Sequence, residues 1–246
     1  MKIIISPAKK MCSDVEYPAP VGLPVFVERT RQLMCQLQSM SYEELKKLWA
    51  CNDEIASQNV ERLQQMDLQR GAAALVSYVG IQYQYMAPRV FEDAYYAYVQ
   101  EHLRILSGFY GIVRPLDCVT PYRLEMQAKL KTEAARNLYQ FWGDSLYQEL
   151  TRDDHMILNL ASHEYSKCIE KYLTPDDTYI TCIFGQLIDG KVKEKGVYVK
   201  MARGEMVRYL AERGAQSPEE AKKFDRLGFR YHAEYSDDKK YVFLME

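Results

Sequence analysis

The run KIII at 2–5 constrains this chain most, and Pro7 closes it two residues later. Three consecutive isoleucines make a short, wholly apolar segment, which reads as a strand buried inside a sheet. A second run of the same kind, MILNL at 156–160, adds another buried strand. Two further pairs follow. The segments 179–188 and 192–199 flank Asp189-Gly190, a dipeptide suited to a type I′ hairpin turn. The segments 229–235 and 240–245 flank Ser236-Asp237-Asp238 and read as a closing strand pair. A further strand is expected at 72–78, ended by Gly80.

The rest of the sheet's cover is helical. A helix is expected over 24–40, with Pro24 in its first turn and Val27, Leu33, Met34 and Leu37 inward. Ser41-Tyr42-Glu43-Glu44 is a capping-box pattern that opens a second helix through Trp49. Asn52 caps a third, reaching about residue 67, with Ile55, Val60 and Leu63 inward. Further helices are expected at 92–107, with Val99, Leu103 and Leu106 at helical spacing, at 137–151, and at 201–213, where Gly214 supplies the stop. Ser217-Pro218-Glu219-Glu220 opens a short one. Four prolines at 7, 18, 20 and 24 mark the segment between the first strand and the first helix as an extended loop.

With 246 residues, 48% of them hydrophobic, the chain can bury a large core, and no repeat or linker divides it. The expectation is one compact α+β domain over 1–246, a mixed β-sheet surrounded by helices. Six scattered cysteines form no CxxC pair and no zinc spacing, which suits reduced thiols in a cytosolic protein better than a disulfide scaffold. The opening apolar run is too short for an export signal, and no run reaches the ~20 residues of a membrane helix. A soluble, cytoplasmic protein is expected.

The formal net charge of −2 excludes a uniformly basic surface, so any polyanion contact must be local. One such region is 191–208, where six Lys and Arg face two Glu. It is either a polyanion patch or an ordinary solvated hairpin. KMARG at 200–204 is its sharpest part, expected where strand gives way to helix. A second candidate is the Gly108–Gly111 bend, with Arg104, Arg114 and Arg123 around it. Arginine's planar fork suits phosphate, and a glycine bend allows close backbone approach. The bend has the look of the hairpin in a helix–hairpin–helix module, or of a plain C-cap turn. Arg114 and Arg123 have alternative structural partners in Asp117 and Glu125. Ser162, after the 156–160 strand, stands at a helix start, where backbone N–H groups attract anions. Tyrosines crowd 78–98, either to stack on bases or, more simply, as a core rim.

No nucleotide-binding loop, nucleophile elbow or metal spacing is present, so no catalytic residue is assigned and no cofactor or metal is expected. His163-Glu164 is an acid–base pair in composition only, because neighbours on a helix do not face each other.

Six strings, in order along the chain, give a resemblance: ISPAK (5–9), LRILSGFYGIVRPLD (103–117), PYRLEM (121–126), LYQFWGD (138–144), NLASHEYSK (159–167) and KMARG (200–204). Together they resemble the YaaA peroxide stress family. The resemblance implies a cytosolic protein that helps cells withstand hydrogen peroxide by limiting free iron and its damage to DNA. It implies a positively charged cleft, a helix–hairpin–helix element and binding of DNA, double-stranded or distorted, without sequence specificity. Monomers are expected. Carried onto these strings, the phosphate-binding candidates are Lys9, Arg104, Ser107, Arg114, Arg123, Asn159, Ser162, Lys200 and Arg203. Tyr110, Tyr122, Trp142 and Tyr165 are the candidates for stacking on a base. Two positions depart from the family pattern, Lys10 in place of Thr and Met201 where a second Lys is common. The competing function is an enzyme acting on a nucleobase or nucleotide, in a pocket holding Asn159, Trp142, Asp144 and Glu125.

Overall fold

In the computed structural model, which describes every residue except Asp14, Glu16 and Glu246, the chain builds a mixed eight-stranded sheet. Lys2–Ile5 lies at its centre, with all four residues buried. It pairs in parallel with Leu103–Ser107 on one side and Met156–Leu160 on the other. Thr178–Ile188 and Lys240–Met245 extend the parallel part beyond Met156–Leu160. Antiparallel edges are Phe229–Tyr231 at one end and Gly111–Val113 at the other. Lys191–Lys193 folds back on Thr178–Ile188 through Asp189 and Gly190, both at positive φ as a type I′ turn requires. This is the α+β arrangement that the apolar runs called for.

Helix Asp93–His102 packs on the central strands, and helix Gly196–Arg213 packs on it and on Thr178–Ile188. Helices Val27–Gln38, Tyr42–Trp49 and Asp53–Gln64 form a separate layer with the expected caps. Ser41 and Glu44 complete a capping box, and Asn52 accepts from the Ile55 N–H. No helix of the described residues is long and apolar enough to cross a membrane. The loop expected after Pro7 carries the short strand Lys10–Met11; Asp14 and Glu16 within it lie outside the described residues.

Several elements differ from expectation, each for a tertiary reason. The helix expected over 92–107 stops at His102, and Leu103–Ser107 is a fully buried strand. Apolar residues at 103, 105 and 106 satisfy either period, and the parallel ladder offered by Ile3–Ile5 decides. At 72–78 the strand is interrupted by a helical turn, Ala74–Ser77, whose first N–H groups bond to the carbonyls of Asp117 and Pro115. The helix over 137–151 is two, Leu138–Trp142 and Ser145–Leu150, broken at Gly143. The strand expected over 192–199 ends at Lys193. Val197-Tyr198-Val199 reads as β by propensity but enters the long helix, where Val199 is buried. KMARG therefore lies inside that helix. The Gly108–Gly111 bend joins two strands, not two helices.

Candidate anion-binding cavity at the strand ends

Two neighbouring parallel strands set the site. Lys2–Ile5 runs out into Ser6–Lys10, and Met156–Leu160 runs out into Ser162 and helix His163–Glu170. From there the chain departs in opposite directions across the sheet, toward Leu103–Ser107 in one case and Thr178–Ile188 in the other. Such a reversal leaves a crevice outside the carboxyl ends of the strands, where open α/β sheets bind ligands. Side chains stitch the two exits together. The Ser162 N–H donates to Ser6 Oγ at 2.8 Å, and the Tyr83 hydroxyl donates to the Ser6 carbonyl at 3.0 Å. Asn159, buried in the strand, receives the Ala161 N–H at 2.8 Å and so shapes the turn.

The crevice is a cavity of about 450 Å3 whose lining includes Ser6, Lys9, Ser162 and Tyr165. Its second wall comes from KMARG. Lys200 and Arg203 are three apart on helix Gly196–Arg213 and so share a face, and both line the cavity. Gly204 places them. A Cβ at that position would lie 2.0 Å from the Gln82 carbonyl oxygen, so only glycine lets helix Ile81–Met86 come this close. That contact brings Gln82 and Tyr83 to the cavity beside Arg203.

The segment 121–126 makes the third wall. It crosses the Gly108 turn so tightly that a Cβ on Gly108 would meet the Leu124 carbonyl at 2.5 Å. Tyr122 and Leu124 are buried while Arg123 and Glu125 are half-buried, the period-two arrangement expected of this stretch, and all four line the cavity. The Tyr122 hydroxyl is 2.7 Å from Ser107 Oγ and 3.0 Å from the Tyr78 hydroxyl, and burial pushes it up to about 12. Arg123 and Glu125 also border a second cavity, of about 640 Å3, beneath helix Tyr42–Trp49.

Charge in the first cavity is lopsided. Lys9, Lys10, Arg123, Lys200 and Arg203 line it, against Glu125 and Glu164. Lys9 and Glu125 form an ion pair at 2.9 Å. Burial, reinforced by Glu125 nearby, raises the Glu164 carboxyl above its ordinary value. More telling are the donors. The side-chain Nε2 of Gln82 and the Nε atoms of Arg123 and Arg203 are all buried without a hydrogen-bond partner. Native proteins seldom leave buried N–H groups unpaired, and here three belong to residues of one cavity. The arrangement suits a ligand that is anionic and rich in acceptors.

The sequence candidates divide accordingly. Lys9, Arg123, Ser162, Lys200, Arg203, Tyr122 and Tyr165 meet at this cavity. Ser107 and Asn159 lie buried behind it as supports. Arg104 and Arg114 lie toward the amino ends of the strands, beside a different depression that includes Lys2 and Asp153. Tyr110 and Trp142 are wholly buried, and the Trp142 indole donates to the Gly108 carbonyl at 3.1 Å. The nucleobase pocket of Asn159, Trp142, Asp144 and Glu125 does not assemble; of the four, only Glu125 lines the cavity. The basic stretch 191–208 also splits. Arg208 pairs with Glu212 at 2.8 Å and Lys193 with Asp189 at 3.9 Å, while of the six only Lys200 and Arg203 line the cavity. Gln82 went unseen in the sequence because the six-residue helix carrying it has no legible period, while its neighbour Tyr83, one of the crowded tyrosines, is buried as a core-rim residue would be. Glu164 was visible beside His163, yet His163 turns outward to Glu170 while Glu164 faces the cavity. Among the described residues, no three His, Cys, Asp or Glu side chains gather to hold a metal ion.

The fold and the cavity define an α+β protein whose mixed sheet carries, at its strand ends, a cavity lined by five Lys and Arg and two Glu side chains. The sequence matches the family described as peroxide stress protein YaaA over residues 1–235. It is 60% identical over 245 residues to a UPF0246 protein of Desulfitobacterium hafniense, covering 99% of this chain and 98% of that one. It is 54% identical over 244 residues to a UPF0246 protein of Agathobacter rectalis, covering 99% and 98%. A UPF0246 protein of Lachnoclostridium phytofermentans is 55% identical over 245 residues, with 99% and 96% covered. The chain belongs to the YaaA peroxide stress protein family.

Proposed function

We propose that this protein serves in peroxide stress by binding DNA through the cavity at its strand ends, without sequence specificity, and so limits iron- and peroxide-driven damage to DNA. The observation that carries this reading is the convergence of the unpartnered Arg123 and Arg203 Nε–H groups with Lys9, Lys10 and Lys200. Phosphate oxygens supply the acceptors and the negative charge that such a wall lacks. The helical hairpin of Tyr42–Trp49 and Asp53–Gln64 turns through Ala50 in the left-handed region. It stands beside the second cavity, which Lys47 and Lys129 line.

The test is DNA affinity across a salt series for wild type and a Lys9→Ala, Arg203→Ala double variant. A steep salt slope that flattens by about two charges' worth in the variant places both residues on phosphates. Binding that the double variant leaves unchanged sinks the cavity as the DNA site.

A second reading, an enzyme acting on a nucleobase or nucleotide in the same cavity, draws support from Glu164. A half-buried carboxyl held above its ordinary value by desolvation and by the nearby Glu125 has the makings of a general acid. Turnover of a nucleoside or oligonucleotide that Glu164→Gln abolishes would establish it, and Glu164→Gln with full DNA binding and no turnover by either form would discard it.

A further inference from the structure

We propose that the cavity is built for one nucleoside monophosphate unit, its phosphate held by Arg203 and Arg123 and its base read by the Gln82 amide. The inference rests on the reading of this cavity as a phosphate site and adds the ligand's size and its uncharged half. A site for backbone phosphate alone needs cations on an open surface. This one is a recess of about 450 Å3, within the roughly 300–1,000 Å3 of small-molecule pockets. That is room for one nucleotide and not for a stacked duplex.

The lining is also divided. Lys200 and Arg203 stand on one helix, while Pro7, Ala8, Val79 and Ile81 offer apolar surface against which a flat ring can lie. Gln82 is the discriminating residue. The residue is 7% exposed, it carries no charge, and its Nε2 has no partner. An uncharged buried donor adds little to the capture of a phosphate, but it recognises a base carbonyl or ring nitrogen. An unsatisfied buried amide also costs stability, so its presence here is better explained by binding than by packing. Two sources share this chemistry, a nucleotide free in solution and one extruded from a strand.

The experiment is calorimetric titration of the full chain with adenosine 5′-monophosphate, inorganic phosphate and adenosine separately. A second series uses a duplex with one unpaired extrahelical nucleotide and its fully paired counterpart. The monophosphate should bind at least tenfold more tightly than either fragment. Gln82→Leu, which keeps the backbone contact with Gly204, should weaken it about tenfold, the worth of one buried hydrogen bond. The same variant should melt at an equal or higher temperature and keep the wild-type salt slope on paired DNA. A preference for the extrahelical duplex supports the strand as source, and monophosphate binding without that preference supports the free nucleotide. Phosphate binding as well as the monophosphate, or Gln82→Leu binding it undiminished, overturns the inference while leaving the phosphate reading standing. Loss of all binding, paired DNA included, overturns both.

Discussion

Two groups of arginines sit at opposite ends of the same parallel strands, and they are finished differently. Toward the amino ends, Arg104 donates to the carbonyls of Leu103 at 2.7 Å and Gln100 at 3.2 Å. Arg114 lies 3.7 Å from Glu149, and its backbone N–H donates to Asp117 at 2.7 Å. Cations and acids there answer one another, and backbone carbonyls take up donors. At the carboxyl ends, Arg123 and Arg203 keep Nε atoms with no acceptor, and five cations face two acids. The first group is closed within the fold; the second lacks what a ligand would bring. Arginine by itself does not mark a binding site, and the accounting of its donors does.

The contrast can be broken most severely at Gly204. Gly204→Ala sets a methyl 2.0 Å from the Gln82 carbonyl, where backbone cannot give way cheaply. It should cost about 3 kcal/mol or more in urea denaturation and abolish DNA binding with it. Arg104→Met removes a 6%-exposed cation and leaves the carbonyls of buried Leu103 and half-buried Gln100 without their guanidinium donor. A loss of about 3 kcal/mol is expected, with the DNA affinity of the folded fraction unchanged. If binding falls as far as it does at Arg203, the two groups are not functionally distinct.

A pH series sharpens the comparison. Burial raises the Asp117 carboxyl to about 6, so the fold favours its protonated form. Its stabilising contribution is fully present below pH ~4 and is lost as pH rises through about 6, which amounts to about 3 kcal/mol. Asp117→Asn keeps an acceptor for the Arg114 N–H. It should flatten that window and raise the urea midpoint at pH 7. An unchanged pH profile would show that the cluster does not hold Asp117 as described. The smallest stability effect belongs to Arg203→Met. Removing a half-buried cation with a buried, unpaired Nε–H should leave stability within about 1 kcal/mol of wild type, or raise it. It should nevertheless lower DNA affinity and reduce the salt slope by about one charge.

Much of this was legible in the chain. The isoleucine run, the 156–160 strand, the capping box at Ser41 and the Asp189-Gly190 turn are local signals, and each stands where expected. The candidate residues mixed the two arginine groups because charge and spacing look alike in both. Trp142 and Tyr110, offered as stacking surfaces, are core residues whose polar atoms bond to backbone. Burial, which separates a stacking platform from a core ring, is set by neighbours distant in the chain.

The sequence by itself determined the apolar runs, the caps and turns, and the family, since all of these are read from residues a few positions apart or from motifs in order. The tertiary structure alone decided that 103–107 is a strand, that KMARG faces inward from a helix, and that Gln82 joins Arg203 across a glycine. These depend on which backbone ladder or helix face is offered from elsewhere in the chain. A hydrogen bond left unmade can be recognised only when every possible partner has been placed.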